Sequence, residues 1–279
     1  MLNWLTKGYI DITKYVNPPL FLLWLFIWYR LVKKNLDLKK NRKVLVKTAI
    51  YALIAAALAP LFIIVLSGNL FNFLSGLGTV FKSITSFSAF IRLTDVIFKG
   101  FSITGGLLFL SVLLVLVVKE ARKMTFAILY PFPLFAALAR INCFLKGCCF
   151  GSPATESSLF SITYPAGSPA SRAHFIKFQR ASRFLESMPV HPTQLYIIAS
   201  MLLLYGAVVL MNHLGVRKNI IAGTVLSGYS FANFLIEFLR EEPLLFNFLT
   251  LGQFMDIGIL SIGIYLIFFV KEEAIIESK

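Results

Sequence analysis

Long apolar stretches constrain this chain more than any other feature. A helix that crosses about 30 Å of hydrocarbon needs about 20 mostly apolar residues. Seven segments approach that length, at 16–33, 45–67, 102–118, 124–143, 193–212, 220–240 and 251–270. Only 14% of the residues are charged, against about a quarter in soluble domains. The expected fold is therefore an all-α polytopic membrane protein of about seven transmembrane helices. It forms a single membrane domain over 1–279, with a small extracytoplasmic cap at 151–190 inserted between spans four and five. Pro18 and Pro19 open the first span, a position that helices accept. Pro60 in the second span, and Pro131 and Pro133 in the fourth, are expected as kinks whose freed carbonyls neighbouring helices satisfy. Met1 to Tyr15 lacks the uninterrupted apolar core of a cleavable signal peptide.

The formal net charge of +14, from 27 Lys and Arg against 13 Asp and Glu, then has to be placed. A nucleic-acid partner would require a basic patch on a polar domain, and none is visible. The first loop collects Lys33, Lys34, Lys39, Lys40, Arg42, Lys43 and Lys47. The third holds Lys119, Arg122 and Lys123, the fifth Arg217 and Lys218, and the tail Lys271 and Lys279. Basic residues mark cytoplasmic loops, so the N-terminus is expected outside and the C-terminus inside. Segment 68–101, rich in Phe, Gly and Ser, is too interrupted to span and reads as interfacial helices on the outer leaflet. His174 is expected in a loop and His213 at a cytoplasmic boundary, neither with a role.

Polar groups inside spans are costly and mark functional sites. At about 100° per residue, Tyr229, Asn233, Glu237 and Arg240 fall near 0°, 40°, 80° and 20°, one polar stripe on a greasy helix. Glu237 and Arg240, three residues apart, can pair, either as a tie between helices or as part of a cavity. Arg140 ends the fourth span, His191 and Gln194 open the fifth, and Gln253 and Asp256 open the seventh. Ser102, Thr104, Gly105 and Gly106 open the third. These groups share one level near the outer leaflet, while the inner halves are almost free of polar residues. A channel would be lined throughout. Arg140 and Arg240 suit a phosphate, which a guanidinium binds through two parallel bonds. Cys143, Cys148 and Cys149 form a possible thiol site. A bracing disulfide through Cys143, a nucleophilic thiol, a soft-metal site with His191 and simple packing all remain open. His191 itself can serve as a proton carrier, or only cap and pack beside Pro192.

The same residues carry a family resemblance. The run from Arg140 through Asn142, Cys143, Gly147, Cys148 and Cys149 to Gly151 resembles the GRIGNFxNGExxG signature of bacterial prolipoprotein diacylglyceryl transferases. His191-Pro192-Thr193-Gln194-Leu195-Tyr196 resembles their HPSQLYE, and Gly100 to Leu107 resembles GxSFHGGL. Tyr229 to Arg240 resembles YGxFRxxxEFFR, followed by Leu251-Gly252-Gln253 for MGQ. Order and spacing hold from about residue 100 to 260.

The resemblance implies an enzyme of lipoprotein biosynthesis in the bacterial plasma (inner) membrane. Such a transferase moves the diacylglyceryl group of phosphatidylglycerol to the lipobox cysteine of a preprolipoprotein. A thioether forms at the outer leaflet and glycerol phosphate leaves. The implied partners are the phospholipid and the preprolipoprotein; no cofactor and no metal are implied. Carried onto this sequence, the catalytic positions are Arg140, Glu237, His191 and Tyr229. The phospholipid-binding positions are Arg140, Arg240, Gln194, Tyr196, Gly105, Gly106, Gly151 and Asn233. The chain departs from the pattern at Thr104, Cys143, Cys148, Asn233 and Ile197, where the family carries His, Asn, Glu, Arg and Glu. A paralogue that binds phospholipid without turnover, or a thiol-redox membrane protein using the three cysteines, are the alternative readings.

Overall fold

The computed structural model describes residues 19, 22, 23, 26, 30, 126, 129–155, 160–178, 185–240, 244–245 and 248–270. Its elements run α1 (Phe132–Lys146), α2 (Pro169–Lys177), α3 (Thr193–His213), α4 (Lys218–Glu237), β1 (Leu244–Leu245), β2 (Leu249–Thr250) and α5 (Leu251–Phe269). Helices α3, α4 and α5 are long and apolar enough to cross a membrane. Their outward faces carry Leu202, Leu203, Phe231, Leu235, Phe268 and Phe269, all exposed. Apolar surface on that scale marks a membrane protein, whose solvent on those faces is lipid.

The expectation of about seven spans is corrected. Among the described residues there are five helices, α1 to α5, and three of them qualify as spans. The expected span at 124–143 breaks at its prolines. Phe126 and Leu129 are helical, a turn follows at Tyr130 and Pro131, and α1 starts afresh at Phe132. Proline lacks the N–H that would continue the ladder, so the pair begins a helix where a kink was expected. The result has 15 residues, about 22 Å long and short of a full crossing. A short antiparallel hairpin, β1 with β2, also departs from the all-α expectation. Segments 45–67, 68–101 and 102–118, with the basic first loop, lie outside the described residues. Of 16–33 only residues 19, 22, 23, 26 and 30 are described, all helical.

Helix α4 is the centre of the bundle. It packs along α5 and across α3, and α3 in turn carries α1. Its Ile221, Val225, Leu226 and Tyr229 are buried with Met201 and Val208 of α3 and Ile259 and Leu266 of α5. Small residues bring α4 and α5 together, as membrane helices require when lipid is as apolar as leucine. A Cβ on Gly223 would stand 2.5 Å from the Gly263 carbonyl oxygen. At that end Asn219 donates through Nδ2 to the carbonyls of Leu266 (3.1 Å) and Val270 (2.7 Å). These are acceptors the end of α5 cannot pair within itself.

The described residues between 151 and 190 build a small cluster beside these helices. Val190 bridges both Pro153 and Ile162, and Tyr164, Ala170 and Val190 are buried against Phe150 and Ile162. His174 lies in α2, not in a loop, and has a structural part. Its Nδ1 accepts from Met188 N–H at 3.0 Å and its ring meets Phe150 and Phe178 edge-on.

Gly223→Val will therefore force α4 from α5. Unfolding of the full chain in detergent should show a loss of about 1–3 kcal/mol, the usual cost of overpacking; unchanged stability would contradict the packing described.

Candidate functional site

Four elements bring polar side chains to one end of the bundle, and each does so for a local reason. Helix α1 delivers Arg140 and Cys143 on successive turns of one face, then stops at Gly147. That glycine has φ 69° and donates to Phe144 O at 3.1 Å, while Cys148 N–H returns to Cys143 O at 3.1 Å. The left-handed glycine closes the helix and turns Cys148 and Cys149 back towards Cys143. Cys149 also has a positive φ, 57°, uncommon for a side chain of its kind. The three sulfur atoms lie within 4.8 Å of one another, and all three cysteines are free thiols.

The start of α3 holds this loop in place. Thr193 Oγ1 donates to Cys149 O at 2.8 Å, and Gln194 Nε2 to Cys148 O at 2.6 Å. Gly151 completes the clamp by donating to His191 O at 2.9 Å, while Ser152 N–H reaches Leu239 O at 2.7 Å. A Cβ on Gly151 would meet both carbonyl oxygens at 2.8 Å, so only glycine lets the loop lie between α3 and the end of α4. His191 is half-buried, with Nδ1 3.4 Å from Tyr196 Oη, and that hydroxyl lies 3.3 Å from Phe160 O.

The stripe on α4 turns inward as expected. Tyr229, Asn233 and Glu237 are buried, and Phe132 meets the Tyr229 ring edge-on at 5.2 Å. Glu237 Oε2 accepts from Arg240 Nη1 at 3.0 Å, the pair that spacing had suggested. Its Oε1 accepts from Thr250 Oγ1 at 3.3 Å. Thr250 caps α5 through Gln253 N–H, and the Gln253 side chain returns to Thr250 N–H. Glu237 therefore sits at the positive end of α5, where a carboxylate is stabilised. Gly252 leaves it room, since a Cβ there would stand 2.9 Å from Oε1.

Sequence reasoning missed the partner of Asn233. Its Nδ2 donates to Asp256 Oδ2 at 2.8 Å, and Asp256 is 1% exposed. Asp256 had been noted only for its level in the membrane. Two polar side chains one helix apart were the available signal, but their pairing needs the α4–α5 contact. Thr193 and Gln253 are expected at that level but without the contacts they make here, and Thr250 carries no expectation. Gly105, Gly106 and Thr104 lie outside the described residues.

Electrostatics concentrate where α1 and α4 end. Arg140 and Arg240 both act on Cys149, and Arg140 also acts on Asp256. Arg140 is half-buried and makes no hydrogen bond or ion pair with any described residue. Cys148 Sγ donates to Cys143 O at 3.7 Å, and the two neighbouring thiols, with Arg140 and Arg240, hold the Cys149 pKa well below the thiol range. The same neighbours, Cys143 and Cys149, and burial raise Cys148. Burial likewise raises Tyr164.

Fold and site together define an integral membrane protein with a cluster of buried charges and thiols at one end of its helices. A family model for prolipoprotein diacylglyceryl transferase matches residues 20–269, and the chain belongs to that family. It is 32% identical over 138 residues to phosphatidylglycerol–prolipoprotein diacylglyceryl transferase 2 of Clostridium perfringens, covering 46% of this chain and 44% of that protein. It is 25% identical over 186 residues to the phosphatidylglycerol–prolipoprotein diacylglyceryl transferase of Paraburkholderia phytofirmans, covering 60% and 62%. The matches thus span less than two thirds of either relative.

Because the thiolate is the nucleophile, iodoacetamide should modify Cys149 at mildly acidic pH and Cys148 only in alkali. Peptide mass spectrometry after alkylation across a pH series distinguishes the two; equal labelling of both at every pH would contradict the charge distribution.

Proposed function

We propose that this chain transfers the diacylglyceryl group of phosphatidylglycerol to the lipobox cysteine of a preprolipoprotein. The reaction belongs to the outer leaflet of a bacterial plasma membrane, with the N-terminus outside and the C-terminus cytoplasmic. The observation that carries this reading is Arg140. It is a half-buried guanidinium without a hydrogen-bonding partner among the described residues, next to a second arginine fixed by Glu237.

The chemistry follows from those groups. The peptide thiol gives up its proton and its sulfur attacks the glyceryl carbon that bears the phosphate. A C–S bond forms as the C–O bond breaks, and glycerol phosphate carries away the electron pair. Charge rises on the phosphate oxygens during that step, so cations fixed there lower the barrier. Arg140 faces the phosphate directly. Arg240 adds a second charge whose direction Glu237 sets. His191, backed by Tyr196, receives the thiol proton in place of the histidine that Thr104 replaces. Tyr229 closes the site against Phe132 below. Gln194 and Gly151 hold the loop that follows Arg140, and Asn233 is tied to Asp256.

The test is transfer by the purified full chain in phosphatidylglycerol vesicles, read as the mass gained by a lipobox peptide. Arg140→Ala should lower the rate by about 10²–10³-fold. Arg140→Lys should recover only part of it, because a point charge cannot make two parallel bonds. Glu237→Gln should slow transfer less than Arg140→Ala. A wild-type chain that retains phosphatidylglycerol and never modifies the peptide would overturn the activity.

A further inference from the structure

The three cysteines have no part in that reaction, yet the fold spends several devices on bringing them together. Cys143 is fixed by the last turn of α1, and Gly147 turns the chain back. Thr193 and Gln194 anchor the carbonyls of Cys149 and Cys148, and Cys149 takes a left-handed backbone that L-residues seldom adopt. The outcome is three part-buried sulfur atoms within 4.8 Å of one another. A disulfide would use two of them and strand the third. The adjacent pair is also poorly suited, since neighbouring Cα atoms about 3.8 Å apart fall below the usual disulfide span.

We propose that Cys143, Cys148 and Cys149 form a trigonal thiolate site for a soft monovalent d10 ion, with Cu(I) as the ligand. A metal held at about 2.3 Å, the zinc–thiolate length, by three sulfurs in one plane sets those sulfurs about 4 Å apart. The three sulfurs lie within 4.8 Å of one another, within about an ångström of that separation. Thiolate softness selects Cu(I). Zinc takes four ligands in structural sites, and no fourth His, Cys, Asp or Glu joins this group among the described residues. Binding forms three S–Cu bonds and displaces whatever protons the three sulfurs still carry, which leaves the ion and its thiolates with a net charge of −2. Arg140 and Arg240, the two cations acting on this cluster, offset part of that charge.

The test uses the reduced full chain in detergent and Cu(I) alone, kept reduced by ascorbate and competed with a chromogenic Cu(I) chelator. One ion per chain is expected. Each of Cys143→Ser, Cys148→Ser and Cys149→Ser should weaken binding at least about tenfold, the lower range for loss of a supporting group at a metal. X-ray absorption on the wild-type copper complex does not depend on how the variants fold, and should show three sulfur neighbours. Wild-type affinity no greater than that of the triple serine variant would overturn the proposal. So would two sulfur neighbours, a nitrogen neighbour, or zinc displacing Cu(I) at equal concentration.

Discussion

The geometry of this molecule turns on one buried carboxylate. Glu237 ends α4 and faces the N-terminus of α5 across Gly252, with Thr250 on one oxygen and Arg240 on the other. A carboxylate in that position costs several kcal/mol of desolvation unless it is paired and hydrogen-bonded. Here it is both, and it also lies at the end of a helix dipole. The same contacts set the register of α4 against α5, so Asn233 meets Asp256 one turn deeper and Gly223 meets Gly263 farther along. At the opposite end Asn219 locks the pair by taking two terminal carbonyls of α5.

A second constraint joins that pair to the rest. Gly151 lies between the His191 and Leu239 carbonyls, so the loop after α1 is fastened both to α3 and to the end of α4. Arg140 and the cysteines are thereby carried to the level of Arg240. The two arginines differ in how the described residues hold them. Arg240 is held by Glu237, whereas Arg140 forms no hydrogen bond or ion pair with a described residue.

Much of this was legible in the sequence where one helix sufficed to read it. The apolar runs at 193–212, 220–240 and 251–270 correspond to α3, α4 and α5 within a few residues. The stripe of Tyr229, Asn233 and Glu237 follows from helical period, and the Glu237–Arg240 pair forms although α4 ends at Glu237 and Arg240 lies in the turn beyond it. Proline was misjudged at the fourth segment, because hydropathy cannot distinguish a kink from a fresh helix start at Pro131 and Pro133. The contacts that assemble the site were not legible for a different reason. Thr193 reaches Cys149 across 44 residues, and Asn233 reaches Asp256 across 23. Periodicity places a side chain on a face but does not say what that face meets.

The measurement that bears most directly on the account is the balance between products when the purified chain acts on phosphatidylglycerol and a lipobox peptide. Thioether on the peptide and glycerol phosphate in solution should appear in equal amounts and at equal rates, because one displacement makes both. Glycerol phosphate released without thioether would show that water, not the cysteine sulfur, attacks at this site, and would contradict a transferase.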